Sequence, residues 1–485
     1  MAASQLPIDT LCTWAMFNDV DLVDVEVREI PGCGLGLVSN KDLSREEETF
    51  DIPTLLRIPR ELILSAEAVE NYAKVDKNFR QLLNVAGHKS TRHDICLFLL
   101  TQKVLSDRPK TSLHGGVPTA WTEYVKYLPP QVPVTTLWTA QERQMLNGTS
   151  LESATAAKIV ALTDEFDELR ELSSALPLWN ELFWESDKVS LIDWVRVDAW
   201  FRSRCLELPK SGEAMVPVLD LANHSSKANA YYEENSKDEV VLLLRPGCRV
   251  SSGEEMTISY GDAKSGAEML FSYGFIDLAS AADRIKLPLT PLEDDPLGKA
   301  KLHIFEGPPT VEFVRTNDFV SWESPFAYLM CLNEEDGLSF RILQDTGGSR
   351  ELKLFWQEDD VTATTTGFGQ HIDNHPLAQI FRLRVVTVLQ DLVTSQLERL
   401  ATGMSLEDLD ESLNEGGLVC GACINAAATL REQETSLLEA AVKALEDQKT
   451  QLLADENVVA YLGSMEDTQK DLAEGETSND EEDFS

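Results

Sequence analysis

The stretch from Val216 to Phe275 leaves the chain little freedom. It opens with Val216-Pro217-Val218-Leu219-Asp220-Leu221-Ala222, a short apolar run that predicts a buried strand, and breaks at the polar Asn223-His224-Ser225. Glu239 to Arg245 predicts a second strand, and its weak alternation points to burial on both faces. After the turn signals Pro246-Gly247 and Ser252-Gly253 comes a third, Glu255-Met256-Thr257-Ile258-Ser259-Tyr260, stopped by Gly261-Asp262. Ala267 to Tyr273 predicts a short helix ended by Gly274. The spacing between Tyr260 and Tyr273 lets a strand, a loop and two helical turns fold back. Both tyrosines are therefore expected to face the loop carrying Asn223 and His224. Polar residues at the ends of elements are where chemistry is usually placed.

Three motifs in this stretch carry a resemblance when taken in order: Asp220-Leu-Ala-Asn223-His224-Ser225, Gly253-Glu-Glu-Met-Thr-Ile-Ser-Tyr260-Gly261 and Leu270-Phe-Ser-Tyr273-Gly274-Phe275. Any one alone reads as core packing. Together they resemble the SET-domain protein methyltransferases, and more narrowly the branch of the plant Rubisco large-subunit and fungal ribosomal-protein lysine methyltransferases. The resemblance implies an α+β fold: a SET-domain β-fold with a helical insertion, followed by a mostly α-helical C-terminal domain. It also implies S-adenosyl-L-methionine as cofactor and a lysine on a non-histone protein as methyl acceptor. By the same resemblance Tyr260 orients the amine, and Tyr273 lines its channel with Phe275 nearby. Asn223 and His224 hold the cofactor. No metal is required.

Upstream, Val23 to Ile30 alternates like a strand and runs into Pro31-Gly32-Cys33-Gly34-Leu35-Gly36-Leu37-Val38. Glycines at alternate positions let a backbone approach a ligand closely. A dinucleotide fingerprint needs a helix after the last glycine to receive a pyrophosphate, whereas Leu37-Val38 predicts another strand. A plain glycine-rich hairpin remains open on the residues alone. The resemblance assigns the backbone of Cys33, Gly34 and Leu35 to the cofactor pocket, with Cys33 standing where the family often has an acid.

From Glu61 to Thr101 the periodicity is helical, with His93 expected at a partly buried surface position. Trp121-x-x-Tyr124 through Trp138 resembles the helical insertion of this branch, its aromatics mostly core. Helix is predicted again from Ser153 to Leu206, ending in Ser203-Arg204. An arginine there can hold a carboxylate, and Asp220 is the obvious candidate. The resemblance gives Arg204, in its Ser-Arg pair, a place in the substrate or cofactor cleft. The expected divisions are 1–86, 87–206 for the insertion, 207–286, 287–465 for the substrate-binding domain and 466–485 for an acidic, disordered tail. Leu287 to Pro296 reads as the linker, His303 to Trp356 as a few strands or short helices, and Pro376 to Leu400 and Leu430 to Leu462 as amphipathic helices. Ser405 to Asp408 has the form of a helix cap.

Charge bounds the partners. Lys and Arg total 42 against 82 Asp and Glu, a net charge of −40. Such a field repels nucleic acid and attracts basic partners, so a basic protein substrate, of which ribosomal proteins are the best-fitting class, is expected and direct nucleic-acid binding is not. No apolar run reaches the ~18 residues of a membrane span, and Met1 to Phe17 has no signal-peptide pattern. The eight cysteines make no disulfide framework, and Cys420-Gly-Ala-Cys423 has no second pair to complete a zinc site. A monomer in the cytoplasm or nucleus is the expectation. Two other functions stay open: histidine methylation, whose actin-directed relatives carry tryptophan where Leu219 stands, and a silent adaptor that keeps the fold to bind a basic partner.

Overall fold

The computed structural model describes residues 5–47, 52–107, 116–185, 188–344, 350–402 and 420–464. The chain divides into two compact units. The first draws on Met1–Gln144, Leu151–Ala281 and Leu418–Ala426, the second on Met145–Ser150, Ala282–Gly417 and Ala427–Ser485.

In the first unit, small antiparallel sheets surround one apolar core. Val25–Ile30 and Gly34–Ser39 form a hairpin, and Glu255–Met256 joins its second strand with Glu255 opposite Val38 and Met256 opposite Leu37. Thr54–Ile58 pairs with Val240–Leu244, which pairs with Ala230–Glu234. All five residues of Val240–Leu244 are buried, as its weak alternation predicted. Leu64–Ser65, Gly212–Met215 and Cys205–Leu208 make a third sheet.

Helices fill the sequence between these strands, each started by its own chemistry. Ser90 accepts the His93 N–H at 3.1 Å to open Thr91–Ser106. Ser190 and Asp193 form a capping box on Leu191–Arg204. Thr91–Ser106 is buried continuously from Ile95 to Gln102 because it runs through the core; each large apolar side chain enclosed there contributes roughly 1.5–3 kcal/mol. His93 is only 2% exposed and faces the Trp194 ring, so it is a core residue and not a partly buried surface one.

Asp198, fully enclosed, is met by Arg92, Lys158 and Arg202. Burial alone would raise its carboxyl, but the three cations together hold it below the ordinary range.

The second unit has a core of its own. Two three-stranded antiparallel sheets, Asp283–Pro288 with Thr310–Thr316 and Phe319–Glu323, and Leu338–Gln344 with Arg350–Trp356 and Asp359–Asp360, accompany the helices Ala378–Thr402 and Gly421–Leu453, the latter from Ala427 onward. The linker expected from Leu287 begins inside the first of these strands. Ile285 and Leu287 alternate inward there, and burial outweighs Pro288 and the prolines after it. Lys301 is buried with each of its three N–H groups answered, by Asp295 Oδ2 at 2.6 Å and by the carbonyls of Met330 at 3.0 Å and Leu332 at 2.5 Å. Beyond Leu453 a second helical segment covers 456–464. The cap expected at Ser405 and the acidic tail lie outside the described residues.

Candidate active site

The glycine-rich segment is a hairpin. Ile30 stands opposite Gly34, and Cys33 N–H closes the turn on the Ile30 carbonyl at 3.0 Å. Gly32 and Gly34 have φ of 80° and 83°, in the left-handed region that glycine enters without penalty. Gly36 is needed for a different reason. A Cβ there would stand 2.6 Å from Ile30 Cγ1, 2.8 Å from Glu255 Oε1 and 3.0 Å from Asn223 Nδ2.

That crowding marks the place where the Asn223 loop docks. The Asn223 amide nitrogen donates to the Leu35 carbonyl at 3.2 Å and to Glu255 Oε1 at 2.7 Å, tying the loop to both strands of the sheet edge. Asn223 then accepts the Ile258 N–H at 2.9 Å, and Ser225 N–H donates to the Ile258 carbonyl at 3.1 Å. The result is an isolated parallel bridge between His224 and Ile258. Two expected strands are corrected here. Glu255 to Tyr260 is a strand only at Glu255–Met256, because beyond Met256 its partner is this loop and not another strand. Val216 to Ala222 is no strand either: Pro217 lacks an N–H, Val218 takes φ of 70°, and Leu219–Leu221 is a single 3-10 turn.

His224 works as a strut. Its Nδ1 accepts the Tyr260 N–H at 3.0 Å, so the ring proton sits on Nε2, which faces Asp277 Oδ2 at 3.2 Å. This fixes Tyr260, whose hydroxyl donates to the Ala222 carbonyl at 2.8 Å. The short helix Gly266–Tyr273 starts with a capping box between Ser265 and Glu268 and ends on Gly274 in the left-handed conformation. It delivers Tyr273 to Tyr260, with ring centroids 4.6 Å apart, and the Tyr273 hydroxyl donates to the Tyr260 carbonyl at 3.3 Å. Burial raises both phenols above their ordinary range. Phe275 lies 6.0 Å from the His224 ring and is 36% exposed.

Beside the tyrosines lies a cavity of about 350 Å³, whose walls include Arg204, Cys205, Tyr232 and Ile258. Arg204 Nη1 donates to the Asp220 carbonyl at 2.7 Å and lies 3.3 Å from its Oδ2, the partnership expected for this pair. Asp220 is enclosed, its side chain 1% exposed, and also receives the Tyr124 hydroxyl, which in turn accepts the Val218 N–H at 2.8 Å. Burial pushes the Asp220 carboxyl up, against the pull of Arg204 and Tyr124. A ligand entering the cavity therefore meets Arg204, with Asp220 behind it.

The structure brings Asn223, His224, Tyr260, Tyr273 and Phe275 together, with Arg204 and Asp220 on the cavity side and Leu35 on the hairpin side. Cys33 and Gly34 are exposed at the turn end of that hairpin. Sequence reasoning missed Glu255, Asp277 and Tyr232. No motif signals them, because each is defined by its partner across the site. Cys423 is buried, and Cys420 N–H donates to Glu142 Oε1 at 3.0 Å. Among the described residues no group of three or more metal-binding side chains converges, and no helix is long and apolar enough to cross a membrane.

Comparison with known proteins gives the arrangement relatives of the same fold. No family model matches the chain. SET domain-containing protein 8 of Schizosaccharomyces pombe is 29% identical over 419 residues, covering 84% of this chain and 89% of that protein. The Rubisco large-subunit N-methyltransferase of Nicotiana tabacum is 26% identical over 314 residues, 62% of this chain and 57% of its own length. A crystal structure of the SET domain of LSMT bound to lysine and AdoHcy superposes with a TM-score of 0.67 at 23% identity, covering 92% of both chains. The fold is that of the SET-domain methyltransferases. In sequence the chain is similar to that fission-yeast SET-domain protein and to the Rubisco large-subunit N-methyltransferases.

Proposed function

We propose that this protein is an S-adenosylmethionine-dependent protein-lysine N-methyltransferase acting on a basic, non-histone protein such as a ribosomal protein. The observation that carries the reading is the closure of one loop, Asn223-His224, on the glycine hairpin at one end and on Tyr260 at the other. A ligand bound along the hairpin edge thereby abuts the cavity holding the tyrosines.

The residues fit the methyl donor. Gly34 has nothing within 4 Å of where a Cβ would stand, so with Cys33 and Leu35 it offers backbone groups at an open edge. Asn223 commits its amide nitrogen to Leu35 and Glu255, leaving its amide oxygen for the ligand, and Phe275 offers an accessible apolar face. S-adenosylmethionine supplies a methyl group activated on a positive sulfonium. The chain's own residues must prepare the acceptor. A lysine amine has a reference pKa of ~10.4, so only about one in a few thousand is neutral at pH 7, and a desolvating cavity raises that fraction. Because burial raises their pKa values, the phenols of Tyr260 and Tyr273 stay protonated at neutral pH. They orient the amine by hydrogen bonding and do not take its proton. Catalysis is then positioning and electrostatics.

Relatives support the acceptor class: a fructose-bisphosphate aldolase-lysine N-methyltransferase of Arabidopsis thaliana is 26% identical over 317 residues. An actin-histidine N-methyltransferase of Drosophila melanogaster, 22% identical over 301 residues, favours the second reading, histidine methylation, against which Leu219 stands. We take the enzyme to act as a monomer in the cytoplasm or nucleus. The test is transfer of a labelled methyl group from S-adenosylmethionine to total protein from cells lacking the enzyme, followed by hydrolysis. Label in methyl-lysine that Asn223→Ala abolishes supports the proposal, methyl-histidine supports the second reading, and no transfer leaves an adaptor.

A further inference from the structure

The cavity beside Tyr260 and Tyr273 holds three cationic side chains, and two are paired with carboxylates, although Arg202 shares Asp198 with Arg92 and Lys158. Arg204 is paired with Asp220, and Arg202 with Asp198. Arg202 also donates to the Phe271 carbonyl and to Thr136 Oγ1, which ties the Tyr273 helix to Leu191–Arg204. The third cation is Lys264, and no carboxylate pairs with it among the described residues. Its ammonium donates to the Tyr260 carbonyl, the same oxygen that receives the Tyr273 hydroxyl, and lies 5.5 Å from the centre of the Tyr273 ring. Gly261 makes room for it: a Cβ at Gly261, which has φ of 132°, would stand 2.7 Å from Lys264 Nζ. A charge is thus held in place by a carbonyl dipole and an aromatic face, both neutral, at the junction of the two tyrosines.

We infer that the Lys264 ammonium is a positioning residue that locks Tyr260 to Tyr273 and, as a fixed positive charge in the cavity, favours the neutral form of an amine that enters. This rests on the lysine-methyltransferase reading. The amine is nucleophilic only when deprotonated, and a neighbouring positive charge shifts that equilibrium in the required direction. A unit charge ~6 Å away at an effective dielectric of ~20 lowers an amine's pKa by about two units.

The other groups around the cavity leave this charge in place. Tyr232 on Ala230–Glu234 and Cys205 on Cys205–Leu208 are raised by burial, the thiol to about 12, so both are neutral at pH 9. Tyr260 and Tyr273 are raised in the same way. Glu207 and Glu213 face each other across the two strands at the exposed rim, while Asp220 is taken up by Arg204.

Calorimetric titration of the full chain with Nα-acetyl-L-lysine amide at pH 9, in two buffers of different ionisation enthalpy, counts the protons released on binding. With a two-unit shift the wild type releases about 0.8 proton per probe bound; Lys264→Met, lacking that shift, releases less than about 0.3, and Lys264→Arg, which keeps the charge, restores the release. A purely structural role for Lys264 would alter affinity but not this count. Probe binding with equal proton release by wild type and Lys264→Met overturns the inference and leaves the proposed function standing. No binding of the probe to the wild type overturns the amine site and the inference together. Thermal melting of both variants shows that they fold, and if the methionine variant does not, Lys264→Gln replaces it in the same titration.

Discussion

Replacing Gly36 by alanine tests the assembly of the site without replacing a side chain that contacts ligand. The backbone at Gly36 is not in the left-handed region, so alanine meets no conformational penalty and the whole effect is steric. Its methyl group would press on Ile30, Glu255 Oε1 and Asn223 Nδ2 at once, all at 3.0 Å or less. Overpacking of this kind costs about 1–3 kcal/mol, and the 2.7 Å charge-assisted bond from Asn223 to Glu255 is worth roughly 1.5–3 kcal/mol if it is broken. A combined loss of about 3 kcal/mol, at about 2–4 °C per kcal/mol, lowers the melting temperature by roughly 6–12 °C. Affinity for S-adenosylmethionine should fall at least tenfold, because the displaced residue is the one that anchors the loop. The contrast is Gly34→Ala, which meets no atom within 4 Å and costs only the left-handed strain, about 1–2 kcal/mol. Melting and calorimetry on both variants, and on Gly36→Ala combined with Glu255→Ala, complete the test. The clash predicts that removing the Glu255 side chain relieves part of the Gly36→Ala loss, so the two changes must be non-additive. Strict additivity, or unchanged cofactor affinity in Gly36→Ala, refutes the reasoning.

Tyr260→Phe removes the hydroxyl bonded to the Ala222 carbonyl; turnover should fall on the order of 10²-fold with cofactor affinity within a few-fold, and an unchanged single-turnover rate reduces Tyr260 to a wall residue. In the second unit, Glu434 accepts from Ser150 N–H at 2.9 Å and from its hydroxyl, and burial pushes its carboxyl up to about 7. The folded state therefore binds the proton more tightly than the unfolded one, so stability falls as pH rises from about 4.5 to 7, by up to about 3 kcal/mol. Glu434→Gln should flatten that slope in urea titrations across the window; an unchanged slope removes Glu434 as its source. With a net charge of −40, the specificity constant for a basic protein substrate should drop as salt rises, screened over ~8 Å at physiological ionic strength, and a salt-insensitive rate argues against charge-guided docking.

What could be read from the residues depended on whether a feature was local or defined by its partner. The helix ending at Gly274 and the strand Val240–Leu244 carry their own signals, a capping box with a left-handed terminator and a continuous apolar run. The Arg204–Asp220 pairing was legible because a carboxylate inside an apolar run demands a cation. The same carboxylate also signals that Val216 to Ala222 is not a strand: Asp220 needs Arg204 and Tyr124 around it, and a 3-10 turn presents it to both. The shortness of Glu255–Met256 was hidden because its continuation pairs with a loop. At Leu287 the prolines overrode an alternation, Ile285 and Leu287 inward, that in fact decided the structure.

The bond from Asn223 to the Leu35 carbonyl joins residues 188 positions apart. A ribosome adding roughly 5–20 residues per second delivers the second of them on the order of 10–40 s after the first. Throughout that interval the edge of the glycine hairpin has neither the Glu255–Met256 strand nor the Asn223 loop to cover it, and an unpaired strand edge recruits other chains. The nascent protein thus passes through a period in which this edge is open to other chains, and the exposure ends only when Asn223 and, 32 residues later, Glu255 have both been made and have docked on it.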